Sequence, residues 1–307
     1  MKKTIISTLF YIGFLGYYFA QQDPMISQYV FNGLYLNPGY AGSHETSNLT
    51  MMYRNQWVNL EGSPVTQFAS LYLPFAEQNL GAGLIFMSDK IGVTNQTRIN
   101  LNFAYHLPTG KGKLAFGLKS GVTFFRAKVD ELTVWDENDP KYSGGVISST
   151  QPNVGIGAYY YLPKFYAGVA VPYLINYKPG TFLGVDPKNP QRSERHYYLT
   201  SGYVYTINDH IALKPSMLLK YVLHAPLEAD FNLHVLLKNT LWLGGSYRTG
   251  DSFIGMVDFQ ISEQFKVGYA HDFTITRLKN SSSGTHEIIV SYDFGKEAIK
   301  MKTPRYF

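Results

Sequence analysis

The sequence predicts an all-β fold, a transmembrane antiparallel β-barrel of about fourteen strands with a short N-terminal periplasmic or plug segment. Three observations lead there. Runs of about ten residues alternate between apolar and polar side chains. After Ala20 no stretch approaches the ~18 uninterrupted apolar residues of a spanning helix. The connections between the runs are short and long in turn, which a soluble sandwich has no reason to produce.

The N-terminus comes first. Lys2 and Lys3 precede an apolar stretch from Thr4 to Phe19, and Ala20 is a small residue at a plausible cleavage point. Residues 1–20 are therefore expected to be a signal peptide. A mature chain without a spanning helix meets a membrane only as a closed barrel, because lipid leaves no backbone group a solvent partner.

Residues 21–46 form the next unit. Met25, Ile26, Tyr29, Val30, Leu34, Tyr35 and Leu36 make it too apolar for a free linker, and Asn37-Pro38-Gly39 reads as a turn. The stretch is expected to plug the lumen or fold under the periplasmic mouth.

The barrel is expected over 47–294. Ile99, Leu101, Phe103, Tyr105 and Leu107 alternate with Arg98, Asn100, Asn102, Ala104 and His106. Phe231, Leu233, Val235 and Leu237 alternate with Asp230, Asn232, His234 and Lys238 in the same way, and Ile288, Val290, Tyr292 and Phe294 with Glu287, Ser291 and Asp293. One phase suits lipid and the other a polar lumen. Strands are placed near 47–57, 64–75, 79–89, 96–107, 112–125, 152–161, 164–171, 195–206, 210–221, 228–238, 240–248, 251–261, 264–273 and 284–294. Their length exceeds the five or six residues usual in soluble sheets. With a periplasmic start, the even-numbered turns are periplasmic, and all of them are short. The long connections, 126–151, 172–194 and 274–283, all follow odd-numbered strands and are expected outside. Trp57 and Trp242 lie near strand ends, where interface aromatics belong. A basic tail, 295–307 with Lys296, Lys300, Lys302 and Arg305, is expected in the periplasm.

Composition excludes several functions. The chain has no cysteine, so disulfides, thiolate metal sites, thiol nucleophiles and a lipidated cysteine are absent. Charged residues make up 16% of it, against roughly a quarter in a soluble domain. The net charge of +5 is scattered and carries no nucleic-acid footprint.

Catalytic patterns are also missing. His286-Glu287 opens like a zincin helix, but Val290 stands where the second histidine belongs. Gly110-Lys111-Gly112-Lys113 lacks the upstream glycine of a phosphate loop. No Gly-x-Ser-x-Gly elbow occurs. Asp136-Glu137-Asn138-Asp139-Pro140 offers oxygen ligands without the ordered alternation of a calcium loop, and reads as a solvated surface loop. His106, His234, Asp230, Asp258, Lys266, Asp272, Glu287 and Asp293 fall in the lumenal phase. No cofactor, no metal and no enzyme activity are expected.

Gln22-Asp23-Pro24-Met25-Ile26-Ser27-Gln28-Tyr29, then Asn32, then Asn37-Pro38-Gly39-Tyr40-Ala41-Gly42, resembles the opening signature of the PorP/SprF family of type IX secretion proteins in Bacteroidota. Tyr53-Arg54-Asn55-Gln56-Trp57 with Gly62, Pro64 and Thr66 is similar to its first hairpin, and Trp242, Gly244 and Ser246-Tyr247-Arg248 to a late strand. Gly39 departs from the more usual alanine. The resemblance implies an outer-membrane barrel tied to the secretion or surface attachment of large adhesins and to gliding. It also implies as partners a secreted adhesin or other type IX substrate and the periplasmic ring proteins, within outer-membrane lipid. The residues expected to meet partners are Gln22, Asp23, Pro24, Gln28, Tyr29, Asn32, Asn37, Pro38 and Tyr40 on the periplasmic side. Trp135, Asp136 and Asp139 are expected to do so outside. The competing reading is a porin-like transport channel. Trp242, Leu236, Ile254, Met256 and Ile289 in the lumenal phase are bulky for an open pore and favour a filled one.

Overall fold

A computed structural model of the chain describes residues 23–44, 46–131, 145–174, 195–223 and 225–294. The expected signal peptide and the basic tail lie outside the described residues. Fifteen strands occur among those described: β1 (Ser47–Asn55), β2 (Val65–Phe75), β3 (Leu80–Ile91), β4 (Thr94–Thr109), β5 (Gly112–Lys128), β6 (Val146–Leu162), β7 (Phe165–Val171), β8 (His196–Tyr203), β9 (Tyr205–Asn208), β10 (Ile211–Val222), β11 (Glu228–Leu237), β12 (Leu241–Arg248), β13 (Ser252–Gln260), β14 (Phe265–Thr274) and β15 (Thr285–Phe294).

Apart from β8 and β9, which both pair with β10, each strand pairs antiparallel with its neighbour in sequence, and β15 returns to β1 with Phe294 opposite Ser47 and His286 opposite Asn55. The sheet is thereby a closed barrel of 14 staves, and closure removes the edges that lipid would leave unpaired. β8 and β9 are two parts of one stave. The break at Val204 lies across from Lys214 of β10, one residue before Pro215, which has no N–H to offer a neighbour. Val204 keeps the inward phase of the stave, fully buried, and its N–H donates to the Lys164 carbonyl at 2.8 Å.

The side chains are arranged inside out relative to a soluble protein. On β4, Ile99, Leu101, Phe103, Tyr105 and Leu107 are exposed, while Arg98, Asn100, Asn102, Ala104 and His106 are buried. Arg54, Arg248, Lys119 and Lys214 are among the largest fully buried side chains. All six connections at one end of the barrel, here called the near end, are two to four residues long. The long connections, 129–145, 172–195 and 275–284, all lie at the opposite, far end.

Two expectations need correction. β6 starts six residues before its expected 152, because Val146–Gln151 pairs residue for residue with Lys128–Thr123 of β5. That stretch is rich in Ser and Thr and reads as loop, yet the neighbouring strand supplies its ladder and threonine suits a pleated strand. Trp242 is 3% exposed and points inward rather than to an interface, packing edge-on to Phe31 at 5.7 Å. Trp57 sits in the β1–β2 connection with φ of 50°.

The inside-out arrangement has a direct test. Phe103→Arg, at the middle of the exposed apolar run, is expected to destabilise the barrel by about 2–4 kcal/mol, and Asn95→Arg at the far rim by about 0–1 kcal/mol. Urea unfolding in phospholipid vesicles measures both.

Candidate functional site

The lumen is occupied by the chain's own N-terminal segment. Residues 23–44 pass through the barrel from the far end to the near end, where β1 begins. They form no ladder, so their backbone groups need partners from the wall.

Near the near end, Asn37 caps a short 3-10 helix, Pro38–Tyr40, with its Oδ1 accepting from the Gly39 N–H at 2.8 Å and Pro38 in the first position. Its Nδ2 donates to the carbonyls of Ala158 on β6 and Val169 on β7, at 2.9 and 3.3 Å. The wall makes room with glycine. A Cβ on Gly117 would stand 2.1 Å from the Gly39 nitrogen, and one on Gly81 would stand 2.0 Å from the Ala41 carbonyl oxygen. His106 Nε2 donates to that same carbonyl at 2.8 Å. Its Nδ1 is then the acceptor for the Tyr161 hydroxyl, 3.0 Å away. Tyr40 packs edge-on against Tyr72 and Tyr159.

At mid-height, wall lysines take over. Lys119 Nζ donates to the Tyr35 carbonyl at 3.2 Å, and Lys214 Nζ to the Val30 carbonyl at 3.0 Å. Lys266 lies 4.0 Å from the centre of the Phe31 ring, a cation–π contact. Asn32 Nδ2 donates to Ser70 Oγ at 2.6 Å, and Asn232 Nδ2 to the Tyr29 hydroxyl at 2.8 Å.

Toward the far end the grip becomes ionic. Glu287 accepts the backbone N–H groups of both Ser27 and Gln28, each at 2.8 Å. Arg54 bridges Glu287 at 2.9 Å and Asp272 at 2.7 Å, and Asp272 in turn accepts from the Ser27 hydroxyl at 2.8 Å. Around the wall, Arg248 makes a two-pronged pair with Asp230 and lies 3.8 Å from Glu228, itself 3.8 Å from Lys220. Asp23 ends this chain of charges, bonded to Arg98 at 2.8 Å with His196 at 3.8 Å. Burial alone would raise the Asp23 carboxyl. Arg98 above all, then His196 and Lys220, outweigh it and hold it down at about 2. Above Asp23 a cleft of about 430 Å³ opens at the far mouth, lined in part by Pro24, Trp57, Pro226, Glu228 and Arg248.

The structure brings Asp23, Pro24, Gln28, Tyr29, Asn32, Asn37, Pro38 and Tyr40 together in one continuous strip. Of the two expected placements, plugging the lumen or folding under a mouth, the strip takes the first. All but Pro24 are buried in the lumen, and Asp23 stands at the end opposite the short turns. The cause is the wall itself, whose inward charges match the strip. Gln22, Trp135, Asp136 and Asp139 lie outside the described residues. Sequence reasoning missed Arg54, Arg98, Arg248, Lys119 and Lys214 as partners of this strip. The available signal was an arginine or lysine in the inward phase of a long strand, which calls for a counter-group.

Two outcomes follow. Glu287→Leu removes the acceptor of two backbone donors and one partner of Arg54, a loss of about 3–5 kcal/mol. Protease cleavage within residues 23–44 of the folded barrel should appear in this variant and be absent from the native protein. Because the Asp23 carboxyl is depressed from its ordinary 3.8, its contribution is complete above that value and is lost as pH falls through about 2. Segment accessibility at pH 4 should match that at pH 7 and rise only near pH 2; Asp23→Asn should remove this acid step.

Among solved structures, an outer membrane protein of Acinetobacter baumannii, Omp33, aligns with 10% identity over 82% of this chain and 100% of its own, at a TM-score of 0.48. A Pseudomonas aeruginosa FadL homologue aligns with 11% identity over 89% of this chain and 95% of its own, at 0.49. The CymD monoaromatic hydrocarbon channel aligns with 13% identity over 85% and 92%, at 0.47. No curated protein matches the sequence. The model of one family, type IX secretion system membrane protein PorP/SprF, matches residues 18–292. That match spans nearly every described residue, and the chain belongs to the PorP/SprF family, a β-barrel of the outer membrane in the type IX secretion system.

Proposed function

We propose that the protein is a plugged, non-catalytic platform that supports the secretion or surface attachment of a large adhesin-like substrate, and through it gliding. The observation that carries this reading is the occupied lumen. A strip bonded to the wall at every level leaves little path for a solute, so the barrel's working surfaces are its two mouths. Short turns are periplasmic and long loops extracellular in such barrels. The near end then meets the periplasmic ring proteins, and the far end, with its cleft and the 129–145 and 172–195 connections, meets the exported partner. The strip's role is to brace the far mouth in one shape.

A transport channel is the competing reading, and it requires the strip to leave. An outer-membrane hydrolase would need a histidine beside a serine and an orienting acid. His106 and His234 instead face the lumen, so no catalysis is proposed.

Deleting residues 21–46 tests the platform. The barrel is expected to assemble, judged by heat-modifiable mobility, while export and surface display of its partner stop. Continued display would show the strip to be dispensable. The native barrel should also carry no steady current in planar bilayers, and a stable open conductance would favour the channel. Lipid turnover by the purified barrel, with or without calcium, would remove the non-catalytic reading.

A further inference from the structure

The outward face of the barrel carries a second feature. Along the described strands the outward phase contains three residues of the Lys, Arg, Asp and Glu group: Lys90, Arg126 and Lys128. All three are basic. All three lie at the far end, on β3 and β5, which flank β4. At the near end the outward phase of the strands has no such residue. A random scatter of surface charge would not sort by sign, by end and by stave together.

The register sets them in one row. Lys90 stands opposite Asn95, Asn95 opposite Arg126, and Arg126 opposite Ser148. The next row toward the membrane centre is Ser88, Thr97, Phe124 and Thr150, and below it come Phe86, Ile99, Val122 and Pro152. Neighbouring strands lie about 4.8 Å apart, so the Lys90 and Arg126 backbones are roughly 10 Å apart across Asn95. Two long side chains close on one small anion over that span. Lys128 is paired with Glu131. No acid lies within ion-pair distance of Lys90 or Arg126 among the described residues.

The upper two rows thus hold two cations, an amide and several hydroxyls above an apolar wall. An exposed soluble-phase partner would meet the loops above this row first. A molecule lying alongside the strands, with an anionic head at the row and hydrocarbon on Phe86, Ile99 and Phe124, fits both halves. We propose that Lys90 and Arg126 bind a phosphate group of a phosphorylated glycolipid in the outer leaflet, with Asn95 and Ser148 as hydrogen-bond donors beside it. Arginine and lysine are suited to phosphate oxygens. The contact fixes the rotational position of β3–β5 against the leaflet, beneath the long β5–β6 hairpin.

The test uses the full barrel in detergent with bisphosphorylated lipid A, dephosphorylated lipid A and inorganic phosphate as separate probes, read by native mass spectrometry and by fluorescence titration. The expected result is at least tenfold tighter binding of the bisphosphorylated lipid than of the dephosphorylated one, weakening with added salt. Lys90→Ala with Arg126→Ala should abolish that preference, and Lys238→Ala, in a near-end turn, should retain it. Heat-modifiable mobility checks that each variant is folded; if the alanine pair misassembles, Arg126→Gln alone is measured and should reduce the preference several-fold. Equal binding of the two lipids, or a preference untouched in the folded variants, overturns the proposal. Complete competition by millimolar inorganic phosphate overturns the lipid assignment and leaves a simple anion site.

Discussion

Glu287 is the joint on which the arrangement of the lumen turns. Its two oxygens hold two successive backbone N–H groups of the N-terminal strip and one side of the Arg54 guanidinium. Asp272 takes the other side of Arg54 and the Ser27 hydroxyl. Each of these charges has a partner, and the Ser27 and Gln28 N–H groups and the Val30, Tyr35 and Ala41 carbonyls of the strip have theirs in the wall. Burying these groups without one another would cost several kcal/mol per ion, so they stand or fall as a unit. The barrel interior is therefore a polar core built around a peptide.

The placement of this joint couples two events. Arg54 is on β1, Asp272 on β14 and Glu287 on β15. These three strands meet at the seam where the barrel closes. Ser27 and Glu287 are 260 residues apart in sequence, so their contact forms only when the last strand docks on the first. The strip must already lie within the curve of the sheet at that moment, because a closed wall of fourteen staves leaves it only the mouths. Seam closure and strip seating thus stabilise each other. The far-end cleft, bounded by Asp23 and by Arg248 of β12, takes its shape from both.

Much of the wall is legible in the sequence because its rule is local. A period of two on β4 or β15 says which side chains meet lipid, and the structure keeps every one of those assignments. The closed fourteen-stave count also follows from strand lengths and turn spacing. The path of the strip is not local. Nothing in Asp23 to His44 states that it runs through the lumen from the far end to the near end, since its partners are single residues scattered over most of the strands. Gly81 and Gly117 illustrate the difficulty. Each reads as an ordinary strand glycine, and its meaning appears only when the Ala41 and Gly39 backbones are found pressed against it. The early start of β6 was hidden for a related reason: Ser and Thr are turn-formers alone and good strand residues beside a waiting ladder.

The lipid-facing side obeys a different constraint from the lumen. Inside, a charge is tolerated because the strip or a neighbouring stave answers it, as Asp23 answers Arg98. Outside, the apolar wall offers no counter-group, and a charge survives only at headgroup depth, where water, a lipid head or a rim residue such as Glu131 beside Lys128 answers it. That is why inward arginines are spread around the wall while the outward ionised residues crowd at one rim on β3 and β5. The two distributions come from one rule, that a charge in a barrel goes where a counter-group waits. In the lumen the counter-group is the protein's own N-terminal strip. On the rim it is Glu131 for Lys128, and the proposed lipid phosphate for Lys90 and Arg126.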